Sequence, residues 1–194
     1  MDFSCFILEV ISPIEDIKPE LWETYNLKPI SVDTLGDRTW RERNININNA
    51  EIACYLEEKA VNIIIATDGS IRDNITAGGG SVWRGYHRVF DWSAGKHGKT
   101  SSFRAESEAY EDALVWMTKN TTSVDNIVVL TDSLCLVTRL RSGQVRAHWV
   151  ELFTKIKASL TTTYIPGHSG IHYNEIVDKH ARILYTTVYQ LATG

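Results

Sequence analysis

Two apolar runs in this chain break abruptly on an acidic residue. One is Ile63-Ile64-Ile65-Ala66-Thr67 ahead of Asp68-Gly69-Ser70, and the other is Ile127-Val128-Val129-Leu130-Thr131 ahead of Asp132-Ser133. Continuous apolar stretches of this length, rich in β-branched residues, predict strands buried on both faces, as in the centre of an α/β sheet. Each strand then ends on an aspartate at its carboxyl edge, where ligands of open α/β sheets gather. If the two strands are adjacent and parallel, the carboxylates emerge roughly 4.8 Å apart, one interstrand spacing. Taken alone, Asp68-Gly69 is also a plain turn signal.

The elements between and around these strands follow from periodicity. Asn49 can cap a helix running to Lys59, with Ile52, Tyr55 and Leu56 on one side. Residues 78–84 and 86–92 read as two strands meeting near Gly85, which with the first apolar strand makes a β-meander. Gly78-Gly79-Gly80 lacks the following Gly-Lys-Ser/Thr of a phosphate loop and opens no helix. Ser102 is the expected N-cap of a helix whose apolar stripe runs through Ala105, Ala109, Tyr110, Ala113, Leu114, Trp116 and Met117. Glu106 would lie at the stripe's edge in the first turn, where a carboxylate also favours the helix dipole. Helices over about 133–141 and 146–159 and a strand over 162–165 lead to the loop Pro166 to His172. A C-terminal helix over about 173–191 places Ile176, Val177, His180, Ile183, Leu184 and Val188 inward and Asp178 on its second turn.

Residues 1–48 differ in texture. They hold Pro13, Pro19 and Pro29, three of the four prolines, and end in an asparagine-rich stretch. They read as an N-terminal arm or linker dispensable for chemistry, anchored at most by Trp22, Tyr25, Leu27 or Trp40, ahead of a domain over 49–194. At 194 residues with 43% hydrophobic content, the chain suits one domain with an appendage. A net charge of −4 gives no global positive field, so a nucleic-acid partner would be held by local charge or bound metal. Cys5, Cys54 and Cys135 show neither disulfide nor zinc spacing, which fits an intracellular protein of nucleus or cytoplasm, not a secreted one. No stretch reaches the roughly 20 apolar residues of a membrane span. A monomer is expected.

Asp68, Glu106, Asp132, His168 and Asp178 each have a bland explanation. Together, Thr-Asp-Gly-Ser, Arg-Ala-Glu, Thr-Asp-Ser, Pro-Gly-His-Ser-Gly and Asn-Glu-Ile-Val-Asp, in this order and with Asp178 ten residues after His168, resemble the ribonuclease H family over about residues 61–190. The Ser-Phe-Arg-Ala-Glu form around Glu106 is most similar to the domains attached to reverse transcriptases of non-LTR retrotransposons. The resemblance implies an α/β ribonuclease H-like fold with a five-stranded mixed sheet flanked by helices. It implies hydrolysis of the RNA strand of RNA/DNA hybrids, with two Mg²⁺ ions, or Mn²⁺ as substitute, held by Asp68, Glu106, Asp132 and Asp178. His168 would transfer protons or assist product release. Gly69, Ser70, Ser101 and Ser102 would approach the hybrid, whose partner domain would be a linked reverse transcriptase.

Physical chemistry supports a metal. Two carboxylates about 4 Å apart repel by about 4 kcal/mol at an effective dielectric of 20. Hard oxygen ligands suit Mg²⁺. Arg139, Arg141 and Arg146, with Lys155 and Lys157 against Glu151, offer a basic face for phosphates. Two departures stand out: Ser107 follows Glu106 where relatives carry an apolar residue, and Leu134 stands where many carry a glutamine that contacts the hybrid. A related exonuclease would carry Asp-x-Glu on the first strand and an integrase a glutamate on the last helix, and neither is present. The alternative from another class is a catalytically dispensable nucleic-acid-binding or scaffold module of a larger polyprotein or ribonucleoprotein, which has no need of mutually repelling acids.

Overall fold

The strand that carries Asp68 sits at the middle of the molecule because its side chains alternate between two apolar layers. Its run is β4 (Ile63–Arg72), antiparallel to β5 (Ile75–Arg84), which pairs antiparallel with β6 (His87–His97). On its other side β4 pairs parallel with β7 (Asn126–Thr131), and β7 pairs parallel with β9 (Ser159–Tyr164). The computed structural model describes residues 10–11, 22–24, 30–35, 47–72, 74–98 and 100–193. The meander and the five expected strands are all present.

Helices cover both faces. Ile63 and Ile65 point into a cluster with Tyr110, Leu114 and Met117 of α2 (Ser102–Asn120), Leu136 and Leu140 of α3 (Leu134–Arg141), and Trp149 of α4 (Ala147–Lys155). Ile64 and Ala66 point the other way, to Ile52 and Leu56 of α1 (Asn49–Glu58) and Val177 of α5 (His172–Thr193). The period of two along a doubly covered strand is what the unbroken apolar run encodes. Each fully buried Ile, Leu or Val contributes about 1.5–3 kcal/mol. Among the described residues of α5 the buried apolar ones are Val177 and Ala181, Ile176 and His180 are half-buried, and Ile183 is exposed. The side chains of Leu184 and Val188 lie outside the described residues. No helix among the described residues is long and apolar enough to cross a membrane.

The sheet is wider than expected. Two short strands from the first 48 residues extend it to seven: β1 (Val10–Ile11) beside β6 and β3 (Ser31–Thr34) beside β9, both parallel. A third, β2 (Trp22–Thr24), pairs antiparallel with β8 (Gln144–Arg146), and the helix expected over 146–159 runs only from Ala147 to Lys155, between β8 and β9. Strands of two to four residues leave no readable alternation, which is why composition alone suggested a plain arm. Trp22 packs on Phe103 and Trp149 at centroid distances of 5.1 and 5.2 Å. Tyr55 on α1 donates to Asp33 of β3 at 2.6 Å, and Lys59 pairs with the same carboxylate. Tyr25, Leu27 and Trp40 lie outside the described residues.

Helix starts also shift by one. The N-caps are Asn48 and Ser101, whose side chains accept from the Glu51 and Arg104 N–H groups. Glu106 therefore begins the second turn of α2, and the dipole contribution expected at its position is weak.

A chain beginning at Asn48 bares the β9 edge and the Phe103–Trp149 surface. Loss of the half-buried Trp22 with its strand contacts costs about 3 kcal/mol, so the expected drop in melting temperature is about 6–12 °C. An unchanged melting curve would return residues 1–48 to a detached arm.

Candidate active site

The register of β4 against β7 aligns the two aspartates. Thr67 pairs with Thr131, so Asp68 and Asp132 leave the same edge of the sheet side by side. Glu106 arrives from above through an unusually close backbone contact. A Cβ on Gly69 would stand 2.2 Å from the carbonyl carbon of Ala105, so glycine alone lets α2 settle on the strand end. The result is a cluster in which one carboxylate oxygen each from Asp68, Glu106 and Asp132 lie within 4.8 Å of one another. Asp68 and Glu106 are buried, and Asp132 is partly so.

Burial, followed by repulsion from Asp132 and Asp178, pushes the Asp68 carboxyl up to about 6. Glu106 is pushed well above the usual carboxylate range by burial and then by Asp132 and Asp68. Asp132 is raised by burial, opposed by the nearby His168 and by a hydrogen bond with Asn174. The Gly69 N–H donates to the Asp68 and Glu106 carboxylates. Glu106 Oε2 is buried with no hydrogen-bond partner among the described residues. An orphaned buried carboxylate oxygen facing two further carboxylates is the donor set of a hard divalent cation, and the residues present fit one.

Asp178 is adjacent but outside this triad. Its charge is felt by Asp68 and Asp132, while its own oxygens face Arg182 on the next turn of α5 at 3.2 and 2.9 Å. His168 projects from an exposed loop position with a left-handed backbone, φ 52°. Such a conformation is uncommon for a non-glycine residue and recurs at functional sites. Gly167 beside it is pressed onto Asp132, since a Cβ there would stand 2.3 Å from Oδ2.

The expected substrate contacts divide. Ser70 is half-buried, and Ser101 and Ser102 are exposed just ahead of Glu106. Leu134 is exposed two residues after Asp132. Part of the basic face is engaged within the fold, contrary to expectation, while Arg141, Lys155 and Lys157 stay exposed. Arg146 is 3% exposed, paired with Glu111 at 3.0 Å and set against the Trp22 and Trp149 rings, so it is a core residue, not a phosphate contact. Arg139 lies over Trp22 and Phe103, Arg141 donates to Thr34 of β3, and Lys155 pairs with Glu151. Trp22 and Thr34 of the first 48 residues thus take up three arginines that the local charge count assigned to phosphates. Ser107 fills its unusual buried position by donating to the Phe103 carbonyl at 2.7 Å. Asn174, 2% exposed, was not singled out from the sequence as a site residue, although it opens the Asn-Glu-Ile-Val-Asp motif.

A mixed sheet flanked by helices, with a carboxylate cluster at its strand ends that fits a divalent cation, defines an α/β protein with a candidate metal site. The sequence matches the RNase H family over residues 60–184, and the chain belongs to that family of ribonuclease H hydrolases. Similar solved structures include LC11-RNase H1 in complex with an RNA/DNA hybrid, at 23% identity and TM-score 0.45, covering 63% of this chain and 99% of that one. RNase H1 from the halophilic archaeon Halobacterium salinarum NRC-1 is 20% identical with TM-score 0.49, covering 62% of this chain and 94% of that one. A comparison with curated proteins finds no match.

The raised Asp68 carboxyl sets a pH dependence for the cation-free protein. Its folded value of about 6 lies above the unfolded value of 3.8, so the folded state holds the proton more tightly. The charge costs nothing below about pH 4, and the cost grows as pH rises and is complete above about pH 6, on the order of 3 kcal/mol. In chelator, melting temperature should therefore fall between pH 4 and 6.5, and Asp68→Asn should flatten that fall. A parallel decline in both proteins would remove Asp68 as its source.

Proposed function

We propose that the chain cleaves the RNA strand of RNA/DNA hybrids with two divalent cations, Mg²⁺ by preference and Mn²⁺ as substitute. The observation that carries this reading is the triad of Asp68, Glu106 and Asp132 with its orphaned Glu106 oxygen. These three residues would hold the cations, with Asp178 joining once its carboxylate turns from Arg182. Bound there, the cations would supply an activated water for in-line attack and charge stabilisation for the leaving 3′ oxygen.

The chain's own residues do the rest. Gly69 and Ala105 hold the backbones of β4 and α2 in contact, which fixes the spacing of Asp68 and Glu106 before substrate arrives. Asn174 and Gly167 orient Asp132 from two sides. His168, close to Asp132 on an exposed loop, is suited to pass a proton at the leaving oxygen or to ease product away. Gly69 and Ser70 bring small backbone-rich surface to the cluster, where an RNA 2′-hydroxyl serves as donor and acceptor. Ser101 and Ser102 offer hydroxyls to the minor groove or a phosphate beside it. Leu134 supplies no amide to the bases, so hybrid discrimination rests on these smaller contacts. The Ser-Phe-Arg-Ala-Glu stretch supports a place in reverse transcription of a retroelement, beside a linked reverse transcriptase.

Four matched duplexes test the activity: hybrid, RNA/RNA, DNA/DNA, and a hybrid with a run of deoxynucleotides within its RNA strand. The expected result with Mg²⁺ is cleavage of the hybrid alone and of the mixed strand outside its deoxy run. Equal cutting of RNA/RNA sinks hybrid specificity, and no cutting with either Mg²⁺ or Mn²⁺ favours a binding module.

Substitution separates ligand from bystander. Asp132→Asn should lower turnover by well over the roughly 10–100-fold typical of groups that only support a ligand, with a cation-free melting temperature equal to or above wild type. His168→Ala should slow turnover by about a hundredfold or less, since water partly replaces a proton carrier. Near-wild-type turnover of Asp132→Asn would remove that residue from the site.

A further inference from the structure

Asn49 opens α1, ahead of residues 60–184 that match the family, and its side chain crosses to the loop carrying His168. Its Nδ2 donates to the Gly170 carbonyl at 3.0 Å, and its Oδ1 accepts from the His172 N–H at 2.8 Å. One planar amide thus closes on the backbone on either side of Ile171, which is fully buried in the same apolar cluster as Ile52 of α1. A carbonyl and an N–H at this spacing call for a donor and an acceptor on one short side chain, which asparagine supplies and aspartate does not. Asn49 is free for this task because Asn48 already caps the helix, in a reciprocal capping box with Glu51.

The other end of the loop is fixed separately. Gly167 abuts Asp132, and Ser169 Oγ donates to the Pro166 carbonyl at 2.6 Å. Between these anchors stand two left-handed residues, His168 at φ 52° and Gly170 at φ 76°. A Cβ on Gly170 would meet nothing within 4 Å, so that side of the residue is open, and the Asn49 amide reaches its carbonyl from α1.

We propose that Asn49 is a positioning residue which holds the His168 loop against the carboxylate cluster and thereby sets the rate of the step His168 serves. This rests on the ribonuclease reading above. It makes the helix ahead of the first catalytic strand part of the machinery, through a contact spanning more than a hundred residues of sequence.

The test uses the full chain, cut hybrid as product and Mg²⁺ as cation. Two modest hydrogen bonds together shift the loop's population by about tenfold, so Asn49→Ala should speed amide exchange at His172 by about that factor. Turnover at saturating hybrid should fall about fivefold to tenfold with KM little changed. Asn49→Asp, which keeps the acceptor for His172 and loses the donor to Gly170, should fall between wild type and Asn49→Ala. In a His168→Ala background Asn49→Ala should have no further effect on turnover. The same loss with and without His168, or unchanged turnover despite faster exchange, overturns the proposal, as does unchanged exchange at His172. A wild-type chain that leaves the hybrid intact is instead the failure of the ribonuclease reading, and it is distinguished by His172 exchange, which needs no substrate.

Discussion

The site depends on one steric fact: the backbone of α2 rests directly on β4 at Gly69. Any side chain there would meet the Ala105 carbonyl carbon at 2.2 Å and push the helix outward. With the helix seated, Glu106 reaches two aspartates that the parallel Thr67–Thr131 register has already set side by side. The spacing of three acids is thus written in main-chain contacts. Packing of Ile63, Ile65 and Tyr110 beneath it makes that main chain stiff.

The same contact loads the fold with unfavourable charge. Two of the three carboxyl groups are buried and all three are raised above the ordinary carboxylate range, so the protein retains an arrangement that is unfavourable without a counter-charge. The surrounding core absorbs this. Its two apolar layers lie directly below and beside the cluster, and local discord at a functional site embedded in an otherwise consistent structure is the general pattern.

What the sequence disclosed follows element length and chemistry. Long apolar runs ending in Thr-Asp were legible as central strands, and the glycine-flanked His168 loop and the helix bearing Asp178 stood out by motif. The five central strands and their mixed order agree with that reading. The strands at Trp22–Thr24 and Ser31–Thr34 were not legible, because three or four residues among prolines carry no period. Arg146 was misread for another cause: its ion-pair partner Glu111 and the Trp22 ring it lies over come from distant parts of the chain. Asn174 and Asn49 were hidden because a single asparagine on a helix start reads as a cap, and only the tertiary arrangement shows which backbone or carboxylate it serves.

Gly167 touches Asp132 Oδ2 from the loop side, with no side chain between them. The room that carboxylate has to turn on the loop side consequently depends on where the loop sits. The loop backbone is thus itself a wall of the acidic pocket, and any bulkier residue at position 167 would have to displace either that wall or the carboxylate behind it.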